Sequence, residues 1–176
     1  LARDKSLYPI QRIRKASDIL LDTTVDEERI VNMLRAKLPA QRYWAAHACL
    51  YLGEEVIHKH LEALNSLLKD PSRSVQIAAA EALATYPAGA KGGEEALEVL
   101  LANADPTKSS AYHAVAALNA LDHQPQKVLE PYKQRITNLP TNDPDVPGRP
   151  NGYAARMHKH IASPIPDSFS WEKNNR

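Results

Sequence analysis

Cysteine occurs once in the 176 residues, at Cys49. That excludes an intrachain disulfide, a Cys-x-x-Cys redox pair and a thiolate zinc centre, while leaving the compartment open. Glycine is sparse, with 6 residues, and phenylalanine appears only as Phe169. No run nears the roughly 18 to 20 consecutive apolar residues of a helical membrane span, so no membrane partner is expected. An excess of one charge is also missing, since 22 Lys and Arg face 21 Asp and Glu for a net charge of +1. That balance removes the compositional case for a nucleic acid or an anionic membrane surface as partner. The opening Leu1-Ala2-Arg3-Asp4-Lys5-Ser6 lacks the apolar core and cleavage site of a signal peptide. With no initiating methionine, the chain is expected to be a piece of a longer protein.

What is abundant is alanine, with 26 residues, and proline, with 13, six of them at or after position 140. At 43% apolar and 24% charged the chain should fold, and its length suits one domain. Many small helix formers with few large side chains point to helices packed closely over thin cores.

Pro9 opens a periodic segment in which Ile10, Ile13, Ser17, Leu20 and Leu21 can share a face. Thr24 or Asp26 can cap a second helix with Glu27 and Glu28 in its first turn and Ile30, Met33, Leu34 and Leu38 buried. Pro39 marks the start of a third, which runs to Gly53. Further helices are expected over 54–68, 75–86, 94–102 and 128–136, with another between a Ser109 or Ser110 cap and Leu121. Residues 87–93 read as a loop.

Three of these segments align. Residues 43–49, Tyr-Trp-Ala-Ala-His-Ala-Cys, match 77–83 at an offset of 34, and those match 112–118 at an offset of 35. Alanines recur where neighbouring helices would approach. A period of this length holding two helices predicts an all-α superhelical solenoid of antiparallel helix pairs over residues 1–137. Residues 138–176 differ in kind: a proline-rich loop through Gly152, too rich in proline for regular helix, then a short helix and a tail. Phe169 and Trp171 in that polar tail should fold back on the solenoid or meet another part of a longer chain.

No catalytic, cofactor-binding or metal-binding residue is expected. In His58-Lys59-His60 and His158-Lys159-His160 the imidazoles would point about 200° apart on a helix, so these read as surface histidines rather than chelates. His47 and His113 lie on repeated helices, where a ridge or groove position suits them. Cys49 falls where the other copies carry Leu83 and Leu118, which makes it a core filler. Glu27-Glu28, Glu54-Glu55 and Glu94-Glu95 each sit near an expected helix start and suit the dipole. Arg12, Arg14 and Lys15 form a solvated basic face. Arg42, Tyr43 and Trp44 stand out because the last two exceed their counterparts Ile77 and Ala78. They either seal an end of the stack or anchor a partner protein.

Residues 41–46 and 70–83, with the Asp70-Pro71 turn followed by Val75 and the Ala78–Ala80 run, resemble HEAT-type repeats. The family's arginine is kept as Arg42 in the first copy, while Gln76 replaces it in the second and the third has none. Together with Leu7-Tyr8-Pro9-Ile10, these runs also resemble the HEAT-like C-terminal extension of some bacterial sulfatases. The sulfatase nucleophile motif, Cys or Ser then x-Pro-Ser-Arg, is absent, since Leu50-Tyr51-Leu52-Gly53 follows Cys49. The resemblance therefore implies a non-catalytic accessory part of a sulfatase-type hydrolase, periplasmic or secreted. A stand-alone HEAT adaptor for a protein or peptide, cytoplasmic in that case, and a HEAT-like lyase are the alternatives.

Overall fold

The computed structural model describes residues 9–20, 27–140 and 149–162. Among them the regular structure is entirely helical. Helix α1 (Ile10–Ser17) tightens into a 3-10 turn at Asp18–Leu20, and α2 (Glu27–Leu34), α3 (Pro39–Leu52), α4 (Glu54–Lys59) and α5 (Leu61–Leu67) follow. Then come α6 (Arg73–Thr85), α7 (Ala90–Ala104), α8 (Ala111–Asp122), α9 (Gln126–Leu129), α10 (Lys133–Thr137) and α11 (Arg149–Ala162).

The helices form two layers. In one, α3 packs on α6, α6 on α8 and α8 on α11. In the other, α2 backs α3, α5 backs α6, α7 wedges against both α6 and α8, and α10 backs α11. This is the all-α stack of helix pairs that the repeat period predicts. The alanines explain the close approach within the first layer. Ala45, Ala79 and Ala114 are repeat-equivalent and fully buried, as are Ala48, Ala82 and Ala117. One residue further on, Cys49, Leu83 and Leu118 fill equivalent positions of the core.

The Asp-Pro turns are built alike. The Asp70 carboxylate accepts the Ser72 N–H at 2.8 Å, and Asp105 accepts that of Thr107 at 3.0 Å. Each is an Asx turn that sets the chain up for the next helix. Pro39 stands at the first position of α3, and Ser110 caps α8 by accepting the His113 N–H. Gly53 and Gly89 adopt φ of 93° and 81°, which lets the chain turn sharply into α4 and α7.

Several local expectations are corrected. In the first segment the buried residues are Ala16 and Ile19, the latter in the 3-10 turn, while Ile10 at the first position of α1 is 56% exposed. The helix expected over 54–68 breaks at His60, and Ile57, His60 and Leu64 are all buried around the break. Gly92 and Gly93 do not prevent α7 from starting at Ala90, four residues early. The helix expected over 128–136 is divided by Pro131, which lacks the N–H a continuous helix needs. Conversely, α11 begins at Arg149, inside the segment expected to be non-helical, because Pro150 falls in its first turn, where no N–H partner is required. Thr24, Asp26, Leu7 and Tyr8 lie outside the described residues, as do residues 141–148 of the proline-rich segment.

Candidate functional site

The repeat register aligns side chains across α3, α6 and α8. Tyr43, Ile77 and Tyr112 are equivalent, and four residues on so are His47, Glu81 and Ala116, which puts both rows on one face. Between these rows, with Ser74, Ala78 and Asn119, lies a hollow of about 130 Å³. Pockets that take cofactors or small substrates run to roughly 300–1,000 Å³, so this one suits a side chain rather than a metabolite.

Aromatic and polar groups meet here. The Tyr43 ring stands edge-on to His47, centroids 4.5 Å apart, and to Trp44 at 5.1 Å. Burial pushes the Tyr43 phenol above its ordinary pKa, with Tyr112 and Glu81 adding to the shift. Burial pulls the His47 imidazole below its usual value, partly opposed by Glu81, so its neutral form is favoured. Glu81 is the only formally charged lining residue, and its Oε1 meets His123 Nδ1 at 3.0 Å. At the α8 end, the His113 ring bridges Ser110 Oγ at 2.8 Å and Ser74 Oγ at 3.2 Å.

The three residues singled out in the first copy separate. Tyr43 lines the hollow. Trp44 does not, and packs half-buried against the core. Arg42 turns the other way, donating Nε to Asp70 Oδ2 at 2.6 Å and a terminal nitrogen to Oδ1 at 2.9 Å. Its remaining nitrogen donates to the carbonyls of Ala36 and Lys37. Phe169 and Trp171 lie outside the described residues. Glu81, Tyr112 and Asn119 were not singled out from sequence. The alignment carried a signal for Tyr112, since the third copy repeats the tyrosine of the first.

Other candidate groups are structural. The Cys49 thiol is buried and its pKa is pushed up to about 12, which removes the thiolate a nucleophile needs. His60 is buried at the α4–α5 break, and His158 and His160 are half-buried, so only His58 matches the surface expectation for those runs. His160 Nδ1 lies 3.5 Å from Asp122. Glu94 and Glu95 sit a turn inside α7 rather than at its start. With Glu98, Val99, Leu68, Lys69 and Tyr132 they line a cleft of about 440 Å³. A wider cleft of about 700 Å³ between α1 and α2 is lined by Arg12, Lys15 and Arg29 with Glu28, and the first two of these are exposed. Among the described residues no three His, Cys, Asp or Glu gather into a metal-holding group, and no helix is long and apolar enough to cross a membrane.

The family model described as HEAT repeats matches residues 27–129, well over half the chain. No curated protein and no solved structure matches it.

Proposed function

The chain belongs to the HEAT-repeat family, and from that footing we propose that it is a non-catalytic interaction module holding a segment of a partner protein in the groove across α3, α6 and α8. The observation that carries this reading is the hollow at Tyr43, His47, Glu81 and Tyr112, placed across three consecutive repeats. Tyr112 is 67% exposed at its rim, a large ring that meets His113 edge-on and leaves most of its surface to solvent. The small volume favours side chains of an extended segment over a metabolite.

The partner we favour is the catalytic domain of a sulfatase-type hydrolase, of which this chain is the accessory part. The likeness of residues 7–10, 41–46 and 70–83 to sulfatase extensions supports that context. The groove's continuity across α3, α6 and α8 supports a second reading, a stand-alone adaptor for a peptide in another protein.

Selection of a random-peptide display library on the full chain tests the module. Binders lost in Tyr112→Ala are expected, and binders indifferent to that exposed substitution overturn the groove assignment. The purified chain is also expected to leave p-nitrocatechol sulfate unhydrolysed. Turnover would overturn the non-catalytic reading.

A further inference from the structure

We infer that the segment held in this groove presents a basic side chain, arginine best, to Glu81 between the rings of Tyr43 and Tyr112. The inference rests on the groove being the partner site and names the chemistry that fills it.

Charge is the first argument. Glu81 is the sole formal charge among the nine lining residues, and the nearby cations are committed elsewhere. Arg42 is tied to Asp70, and Arg73 donates to Ser109 Oγ at 2.7 Å and to the Lys108 carbonyl at 3.2 Å. His123 reaches Glu81 Oε1 from outside the lining through a hydrogen bond that does not itself require a charged imidazole. The Glu81 side chain keeps 13% of its surface exposed, so the carboxylate is open to a group entering the hollow from solvent. A carboxylate in a mostly apolar hollow is stabilised by a cation that brings its own N–H donors. Of the titratable groups facing Glu81, the Tyr43 and Tyr112 phenols carry no positive charge and His47 is held toward its neutral form, so none supplies that cation.

Shape is the second. Tyr43 and Tyr112 are repeat-equivalent and flank the Ile77–Glu81 stretch of α6 from the helices on either side. A planar guanidinium stacks on aromatic faces while its fork pairs with a carboxylate, and its aliphatic stem covers apolar wall such as Ile77, Ala78 and Ala116. A hollow of about 130 Å³ accepts one such side chain. The acidic cleft at Glu94, Glu95 and Glu98 is a poorer candidate, because Tyr132 is the only aromatic ring in its lining and Glu98 is paired with the full charge of Arg135 at 2.6 Å.

The test is a ¹H–¹⁵N NMR titration of the full chain with N-acetyl-arginine methylamide and, separately, its neutral isostere N-acetyl-citrulline methylamide. Arginine is expected to shift amides at 43–47, 77–81 and 112–116. Citrulline should bind on the order of tenfold more weakly, the loss of one charge-assisted hydrogen bond. Glu81→Gln, which keeps the size and can still accept from His123, should erase the difference. Glu81→Lys should transfer the preference to N-acetyl-aspartate methylamide. Equal binding of the two probes, or arginine shifts confined to α7, overturns the inference. Displayed peptides that bind in a Tyr112-dependent way without enrichment of basic residues overturn it too, and leave the groove's role standing. Absence of any Tyr112-dependent peptide overturns both.

Discussion

Arg42 and Asp70, 28 residues apart in sequence, form a two-pronged ion pair that ties the start of one repeat helix to the turn before the next. Their side chains are only 12% and 4% exposed, so each charge depends on the other for what water no longer supplies. Gln76, at the position equivalent to Arg42, donates instead to the Asp70 carbonyl at 2.6 Å. The Asp105 carboxylate of the following turn turns locally to Thr107 and Lys108. The link from the second repeat helix to the third turn is made instead by Arg73, which donates to Ser109 Oγ and the Lys108 carbonyl.

Breaking it from one side should be costly. Arg42→Ala leaves the Asp70 carboxylate buried without its cation and should destabilise the fold by about 3 kcal/mol in urea unfolding. Arg42→Lys keeps the charge but not the fork, and should recover only part of that loss. A loss under about 1 kcal/mol for Arg42→Ala would mean the pair behaves as a surface contact.

The alanine seam gives a prediction of opposite character, where adding atoms destabilises. Ala82 is fully buried at the approach of neighbouring helices, so Ala82→Leu should cost about 1–3 kcal/mol by overpacking. Ala102 is exposed on α7, and Ala102→Leu should change stability by no more than about 0.5 kcal/mol. Thermal unfolding of the two variants beside the parent separates them. Equal effects would refute the seam.

Much of the stack was legible because the seam is written in a regular alphabet. Alanine recurs at Ala45, Ala79 and Ala114, and a larger apolar side chain at Cys49, Leu83 and Leu118. Those positions need only spacing to be read. Helix breaks were less legible, since His60 leaves helical geometry without proline or glycine to mark it. Pro131 and Pro150 show that the same residue divides one helix and opens another according to its position in the turn. In the groove, Tyr43 was visible because it exceeds Ile77, its counterpart in the second copy, and Tyr112 could have been read the same way. Glu81 was not, because its significance lies in His123, 42 residues away, and in rings from two other helices.

Cys49 should be silent toward thiol reagents in the native state. With its pKa near 12 and its side chain fully buried, it offers neither thiolate nor access. Reaction with Ellman's reagent at neutral pH is expected only after denaturant unfolds the chain, giving one thiol per molecule. Rapid labelling of the native protein would show that α3 opens locally.

Stability should fall on mild acidification, and the histidines determine where. His47, His60 and His113 all have pKa values lowered in the fold, by burial first, with Arg73 adding at His113 and Lys59 at His60, while Glu27 at His60 and Glu81 at His47 oppose the shift. A base whose folded pKa lies below its unfolded value of about 6.5 binds more protons when unfolded. The stabilisation is therefore complete above about pH 6.5 and is lost as pH falls from there through the folded values. The carboxylates with lowered pKa, Glu27 and Asp105, act in a more acidic window, because their ordinary values lie near 4. The urea midpoint should consequently decline between pH 7.5 and 5.5, before the carboxylates titrate. His47→Gln, which removes one of the three groups, should make that decline shallower. A midpoint that is flat across this range would show that the three imidazoles accept protons in the fold as readily as in the unfolded chain.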